Sequence, residues 1–413
     1  MYKTGFLILC LSLFGIIADC QTRSLDFYLN EGINNSPLLN EYRNQAGAAV
    51  DDSLLVRAAK KPFMEANSSL QYFPYSHNFG YDDVITDGGN YTAVVGISQN
   101  ILNRGETSNK LNAATLQKRL ANNSTKVTKD ELVKSITDQY LAAWAGYSDL
   151  IFNRNFLQLM KKENDIVQNF VKSGVSNQTD YLTLLIETQS QELLVSQLST
   201  QYRKDFMLLN LLCGIGDTTL YAVEKPDLLP EGTADISKLP SFIRYKIDSM
   251  QIRNERRSID LRYKPKISWF ADAGFLTSTP WNFYRHFGYS AGVSLSVPIY
   301  DGHQRDIEKH KLEFSENSRK MYEENFRKQY YIQLRQYSDE LESLDSMSVK
   351  LEEQVNNSGH LVDALRDQLE AGNIRMTVYI NAIKNYKTIN RNINLINIRK
   401  LQIINEMNFL LIQ

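Results

Sequence analysis

Asp301, His303, Asp306 and His310 come nearest, by type and proximity, to a metal-binding set in this sequence. Carboxylate oxygens and imidazole nitrogens suit a divalent cation. The same residues open a long stretch free of proline, where acids near a helix start are favoured by the helix dipole, and the two histidines stand seven apart. The helix-start reading is therefore the one taken, and no metal is expected. None of the five histidines, at 77, 286, 303, 310 and 360, forms an HExxH. The three cysteines, Cys10, Cys20 and Cys213, are too few for a disulfide framework, a thiolate zinc site or an iron–sulfur cluster. Cys213, in Leu211-Leu212-Cys213-Gly214 at a helix end, reads as packing. The acid pairs Asp339/Glu340 and Glu352/Glu353 are sequence neighbours, which a helix points in different directions. With no nucleophile beside a base and no phosphate loop, no enzyme and no cofactor is expected.

Charge and composition narrow the class further. Lys and Arg number 46 against 47 Asp and Glu, for a net charge of −1, which argues against nucleic acid as a partner. Hydrophobic residues make up 43%, with 23 tyrosines, so the chain should fold and should own boundaries that are part apolar, part wet. Residues 1–20 read as a signal peptide, Lys3 followed by an apolar run to Ala18, with Ala18 and Cys20 as the small residues before a cut. A competing lipobox-like reading ending at Cys20 suffers from Asp19. Beyond residue 20 no apolar run approaches the ~18 residues of a spanning helix. Any crossing of a membrane must be made of strands.

The elements that position these residues are marked out by proline. Positions 75–225 and 299–413 contain none, so long helices fit there. A helix from about 303 to 369 would be roughly 100 Å long. Within it Leu341, Leu344, Ser348, Leu351, Val355, Ser358, Val362, Leu365 and Leu369 step by threes and fours, a coiled-coil seam weakened by two serines. An amphipathic surface helix is the alternative; either requires a partner helix.

The chain also repeats itself. Gly174, Thr179 and Tyr181 recur as Gly372, Thr377 and Tyr379, each at an offset of 198. The same offset carries Tyr91-Thr92-Ala93 onto Tyr289-Ser290-Ala291 and Asn210 onto Asn408. Upstream, Pro37 and Pro62 recur as Pro240 and Pro265 at an offset of 203. The expected organisation is a first repeat over 21–213, a proline-containing connector over 214–239 and a second repeat over 240–413. Each repeat runs helix, strand hairpin, long helical hairpin.

The extended segments look like membrane strands. From Tyr289 to Ile299, one face carries Tyr289, Ala291, Val293, Leu295, Val297 and Ile299, and the other Ser290, Gly292, Ser294 and Ser296. Apolar outward and small-polar inward over about ten residues is the barrel signature, which makes Val293, Leu295 and Val297 the lipid-facing candidates. Ile267 to Phe275 alternates likewise, Tyr91 to Ile101 more weakly, and the fourth strand is expected around Leu70 to Phe79 despite Pro74. A soluble sheet packed on a helix is the competing reading. Four strands cannot close a spanning barrel, which starts at about eight, so strands must be pooled between chains.

Ser24-Leu25-Asp26-Phe27-Tyr28-Leu29, Asn34-Asn35-Ser36-Pro37-Leu38-Leu39, Val297-Pro298-Ile299-Tyr300-Asp301-Gly302 and Glu370-Ala371-Gly372 with Tyr379-Ile380-Asn381-Ala382, in that order, resemble the TolC family of outer-membrane efflux proteins. The resemblance covers essentially the whole mature chain. It implies an α+β fold: an outer-membrane β-barrel pooled from several chains, four strands each, continuing into a long periplasmic α-helical barrel. It implies a homotrimer, outer-membrane lipid around the barrel, and docking to a periplasmic adaptor and an inner-membrane transporter. Family members use the two helical turns at the periplasmic tip, which by position are Gly174, Val175 and Thr179, and Gly372, Asn373, Arg375 and Thr377. The glycines suit a tight reversal, and Thr179 and Thr377 are expected to cap the returning helices. Good turn chemistry alone explains these residues equally well. Many relatives place acids six and nine positions after the second tip glycine; here Val378 and Asn381 stand there. Asp180 holds the equivalent place in the first repeat as a candidate pore constriction, or as a helix-dipole partner.

Two functions of different class follow. One is the outer-membrane channel component of a tripartite efflux or type I secretion system, a passive duct. The other is a periplasmic helical-hairpin structural or adaptor protein without a membrane barrel.

Overall fold

A computed structural model describes residues 22–74, 88–101, 104–174, 177–230, 232 and 235–411. The leader expected at 1–20 lies outside the described residues. The helices are α1 (Leu25–Asn35), α2 (Pro37–Ala58), α3 (Arg104–Lys172), α4 (Gln178–Leu212), α5 (Pro240–Arg262), α6 (Gln304–Glu370) and α7 (Met376–Leu411). The strands are β1 (Phe63–Tyr72), β2 (Gly89–Ile101), β3 (Lys266–Thr277) and β4 (Phe287–Ser296). The chain is thus mostly helical with one small antiparallel sheet.

Proline punctuates these elements as backbone sterics require. α1 stops at Ser36, which takes an extended ψ of 113° ahead of Pro37. Pro37 opens α2, and Pro240 in the same way occupies the first turn of α5, where its missing N–H costs the helix nothing. Free of proline, α3 and α6 continue for 69 and 67 residues. The first strand is Phe63–Tyr72 rather than a segment around Leu70–Phe79. Its run of Glu65, Asn67, Ser68 and Ser69 hides the alternation from a sequence reading, and Pro74, without an N–H, lies beyond the ladder. β4 ends at Ser296, so Val297 and Ile299 flank the strand, in keeping with the extended, unpaired backbone that Pro298 imposes.

The four strands pair in the order β1-β2-β3-β4, all antiparallel. Glu65 faces Gly96, Gly96 faces Asp272 and Asp272 faces Ser290, which fixes one register across the whole sheet.

The chain divides into two compact units. One gathers the residues up to Pro37, Lys129–Ala234 and Tyr331–Ile412; the other gathers Leu38–Thr128 and Asp235–Tyr330. The first is held by apolar clusters along its helices. Tyr28, Ile136, Tyr140, Phe206, Leu209 and Cys213 form one, fully or almost fully buried. The Tyr140 hydroxyl lies 3.1 Å from the Arg23 carbonyl and 2.9 Å from that of Glu224, which satisfies it. The Arg23 guanidinium stacks 3.7 Å over the Tyr221 ring and pairs with Asp217 at 3.0 Å, pinning the segment ahead of α1 to the connector. The repeat-related Asn210 and Asn408 act alike, donating side-chain amides to the Asp217 and Leu229 carbonyls.

The seam on α6 is its inward stripe. Leu341 and Leu344 pack against Ile403, Met407 and Leu411 of α7, Ser348 is buried, and Val362, Leu365 and Leu369 join α3, α4 and α7. In the second unit, α5 is tied to α3 by the Asn123 amide, which donates to the Pro240 carbonyl at 2.8 Å, and by Asn254, which reaches the Asn109 carbonyl at 3.2 Å.

Candidate functional site

Two features of this fold are candidates for function: the sheet and the pair of helical turns. Residues directly opposite in an antiparallel ladder point to the same side, so the register sorts every strand residue onto one of two faces. One face gathers Met64, Ala66, Leu70, Ala93, Val95, Ile97, Ile267, Trp269, Ala271, Ala273, Tyr289, Ala291, Val293 and Leu295, interrupted by Ser68, Gln99 and Thr277. The other gathers Glu65, Asn67, Ser69, Thr92, Gly96, Ser98, Asp272, Ser290, Gly292, Ser294 and Ser296. Phe63, Val94, Phe270 and Leu276 interrupt the second face. Phe270 lies over Gly292, where any Cβ would come within 2.6 Å of its ring. On the same face the Ser290 hydroxyl donates to Asp272 at 2.7 Å and the Thr92 hydroxyl to Ser69 at 3.1 Å.

The apolar face is open. Tyr289 is 88% exposed, Leu70 78%, Val293 74% and Leu295 64%. A single chain leaves both edge strands, β1 and β4, without an outer partner among the described residues. A two-faced sheet with an uncovered apolar side and two free edges is a segment of wall that a closed structure would complete.

The turns lie at the ends of α3 and α6. Gly174 has φ of +78° and Gly372 +73°, the left-handed backbone that glycine adopts freely. At the second turn the Gly372 N–H reaches the Leu369 carbonyl and the Asn373 N–H the Gln368 carbonyl, both at 2.9 Å, the paired bonds of a Schellman cap. At the first, the Gly174 N–H reaches the Val171 carbonyl at 3.1 Å. A Cβ at either glycine would meet nothing within 4 Å, so backbone conformation alone demands glycine there. Asn373, Arg375, Thr179 and Thr377 are exposed, and Val175 lies outside the described residues.

The threonines do not cap the returning helices. α4 begins at Gln178 after an N-cap Asn177, and α7 begins at Met376 after Arg375, which leaves Thr179 and Thr377 inside the first turns. An N-cap residue needs extended dihedrals, and Asn177 has them, with φ of −84° and ψ of 150°. Asp180 is half-buried in the first turn of α4, where a carboxylate complements the helix dipole.

Tyr181 and, from the second turn, Ile374 and Met376 belong to one apolar cluster with Phe156, Met160, Val167, Leu184, Ile380 and Ile383. Inside this cluster stands a polar group of which a sequence reading names only Tyr379, as a repeat and motif position. Arg366 Nε donates to the Tyr379 hydroxyl at 3.1 Å, and that hydroxyl donates to Glu163 Oε1 at 3.2 Å; Arg366 and Glu163 are 3.5 Å apart. The group joins α3, α6 and α7. Burial pushes the Tyr379 hydroxyl up to about 12, against the opposing influence of Arg366. The available signal was Glu163 itself, an acid set in the apolar stripe Phe156, Met160, Val167 of α3.

The other sequence candidates find structural roles. Asp301 accepts the His303 and Arg305 backbone N–H groups, each at 3.0 Å, which is the helix-start role. Cys213 is fully buried beside Gly32, and burial together with Glu31 pushes its thiol up to about 12.

No family model and no curated protein matches the chain. Solved structures do. A membrane protein from Pseudomonas aeruginosa superposes with a TM-score of 0.77 at 15% identity, over 94% of this chain and 93% of that one. The CmeC outer membrane channel of Campylobacter jejuni gives 0.77 at 10% identity, over 94% and 85%. The outer membrane protein VceC of Vibrio cholerae gives 0.76 at 14% identity, over 94% and 95%. The chain has the fold of these membrane proteins, the fold that the resemblance in its sequence implied.

Proposed function

We propose that this chain is the outer-membrane channel component of a tripartite efflux or type I secretion system. It acts as a passive export duct that spans the outer membrane and extends into the periplasm. The carrying observation is the sheet. Its four strands place one largely apolar face in the open and leave two edges unpaired among the described residues, a combination that costs free energy in water and is satisfied by lipid outside and neighbouring chains at the edges. The small-polar face then lines the lumen. Three chains would supply twelve strands, enough for a closed barrel. A duct needs no catalytic group, because the partner pump supplies the energy.

The two turns at Gly174 and Gly372 are the proposed contacts for the periplasmic adaptor, with Asn373 and Arg375 at the surface of the second. Asp180, in the first turn of α4, is the proposed lining of a constriction. The same exposed apolar face disfavours the rival reading of a periplasmic adaptor without a barrel, whose sheet would have to hide that face against helices.

Three measurements test the reading. Purified protein in planar bilayers should give discrete conductances and should fractionate with outer membranes. Release by osmotic shock without detergent sinks the channel. For the turns, a cysteine at Asn373 should crosslink to the adaptor in exporting cells; crosslinks confined to the flanks of α6 and α7 would refute docking at the turn.

A further inference from the structure

We infer that one end of the sheet carries a collar of cations that holds anionic phospholipid headgroups, an inference that rests on the sheet being a membrane wall. β1 and β3 run in the same direction, since each is antiparallel to β2, so both enter the sheet at one end. At that end the chain reads Arg57, Lys60, Lys61, Pro62 before β1 and Arg262, Lys264, Pro265, Lys266 into β3. The Lys-Pro pair recurs at the offset of 203 that relates the prolines of the two repeats. No Asp or Glu lies between Ser53 and Met64 or between Leu261 and Phe270.

These cations are left unmatched. Arg57, Lys60, Lys61 and Lys264 are exposed and make no ion pair among the described residues, whereas Arg262 pairs with Glu308. On nearby helices some cations are matched, Arg305 and Lys309 both holding Asp260, at 2.7 and 2.6 Å, and Arg319 holding Glu316 at 2.8 Å, while Arg257 and Lys311 make no ion pair among the described residues. Four exposed, unpaired cations therefore stand where β1 and β3 begin, in stretches that hold no acid.

The geometry ties this charge to the apolar face. Trp269, on that face, donates its indole N–H to Gln99 Oε1 at 3.0 Å, and Gln99 donates its amide to the Lys60 carbonyl at 2.5 Å. Trp269 and Gln99 lie opposite each other in the ladder, one same-face step inside Ile101, Ile267 and Leu295, and beyond these the exposed lysines stand. An apolar face with an indole near its end, followed by lysines, suits the passage from hydrocarbon to phosphate in a leaflet, and flexible lysine stems can reach across it. Lipid phosphate fits better than free phosphate, because the cations continue an apolar surface rather than line a pocket. Lys266 differs: its register with Ser296 sets it on the small-polar face, away from lipid.

The oligomer purified in neutral detergent and reconstituted in nanodiscs of phosphatidylcholine with a minority of phosphatidylglycerol tests the collar, by native mass spectrometry of the lipids that remain bound. Phosphatidylglycerol should be enriched about threefold over the bulk, and high salt should abolish the enrichment. Joint replacement Arg57→Gln, Lys60→Gln, Lys61→Gln and Lys264→Gln should return it to the bulk ratio, Lys→Arg at the three lysines should keep it, and Lys266→Gln should leave it unchanged. Displacement of the lipid by inorganic phosphate would overturn lipid recognition. Bulk lipid composition around an incorporated wild type would overturn the collar while leaving the channel standing. Failure to enter any bilayer would overturn the channel and the collar together. If the quadruple glutamine variant loses its oligomer in lipid-free detergent, the cations pair with acids of a neighbouring chain and the collar is refuted.

Discussion

At the residue scale, backbone conformation and burial give the sharpest expectations. Gly372 holds φ of +73° in open space, so Gly372→Val introduces strain and no clash. A β-branched residue in that region costs about 1 to 3 kcal/mol, and Gly372→Asn should cost less, because asparagine tolerates the left-handed region. Thermal unfolding of the three proteins should rank them accordingly; equal stability of the valine variant would mean the turn relaxes freely. Tyr379 gives a pH dependence whose sign follows from its burial. Its folded pKa is raised to about 12 from the ordinary value of 10.0, so its contribution is fully present below pH 10 and is lost as pH rises through 12. The loss amounts to about 1 to 3 kcal/mol, in a window shared with Tyr28, also raised to about 12 by burial. Denaturation midpoints measured across that window should fall steeply, and Tyr379→Phe should flatten part of the fall; an unchanged slope would remove Tyr379 from the account.

At the element scale, β4 carries the contrast that matters most. Val293 and Leu295 share the apolar face, while Ser294 and Ser296 share the small-polar one. If the apolar face meets lipid, Leu295→Arg costs about 2 to 4 kcal/mol near the bilayer midplane and less toward an interface, whereas Ser294→Arg costs far less. Folding titrations into lipid vesicles measure both. Equal tolerance at the two positions would mean that the alternation serves something other than a membrane. Val297, beyond the end of the strand, should be less sensitive than Leu295, since no ladder fixes its direction.

At the scale of the whole molecule, the unpaired edges of β1 and β4 set the expected assembly. Lipid cannot satisfy the backbone groups of an open edge, so a lone chain is not a stable membrane species. Native mass measurement in mild detergent should return three chains. A monodisperse monomer that still conducts ions would defeat the pooled barrel.

Much of this was legible in the sequence because it depends on local or periodic causes. Proline and its absence delimit α3 and α6, the 198-residue offset pairs Gly174 with Gly372, and strict alternation marks β4; each follows from sterics or from a period that one stretch of chain carries alone. The start of β1 was hidden, since Glu65, Asn67, Ser68 and Ser69 lack an apolar alternation and gain their place only by pairing with β2. The helix starts of α4 and α7 fell ahead of the threonines, because a helix start is decided by dihedrals as well as by residue type. Tertiary structure alone decided that Glu163, Arg366 and Tyr379 meet across three helices, and that Gln99 joins Trp269 to Lys60. Contacts between residues far apart in the chain arise from how elements pack, and no local period encodes them.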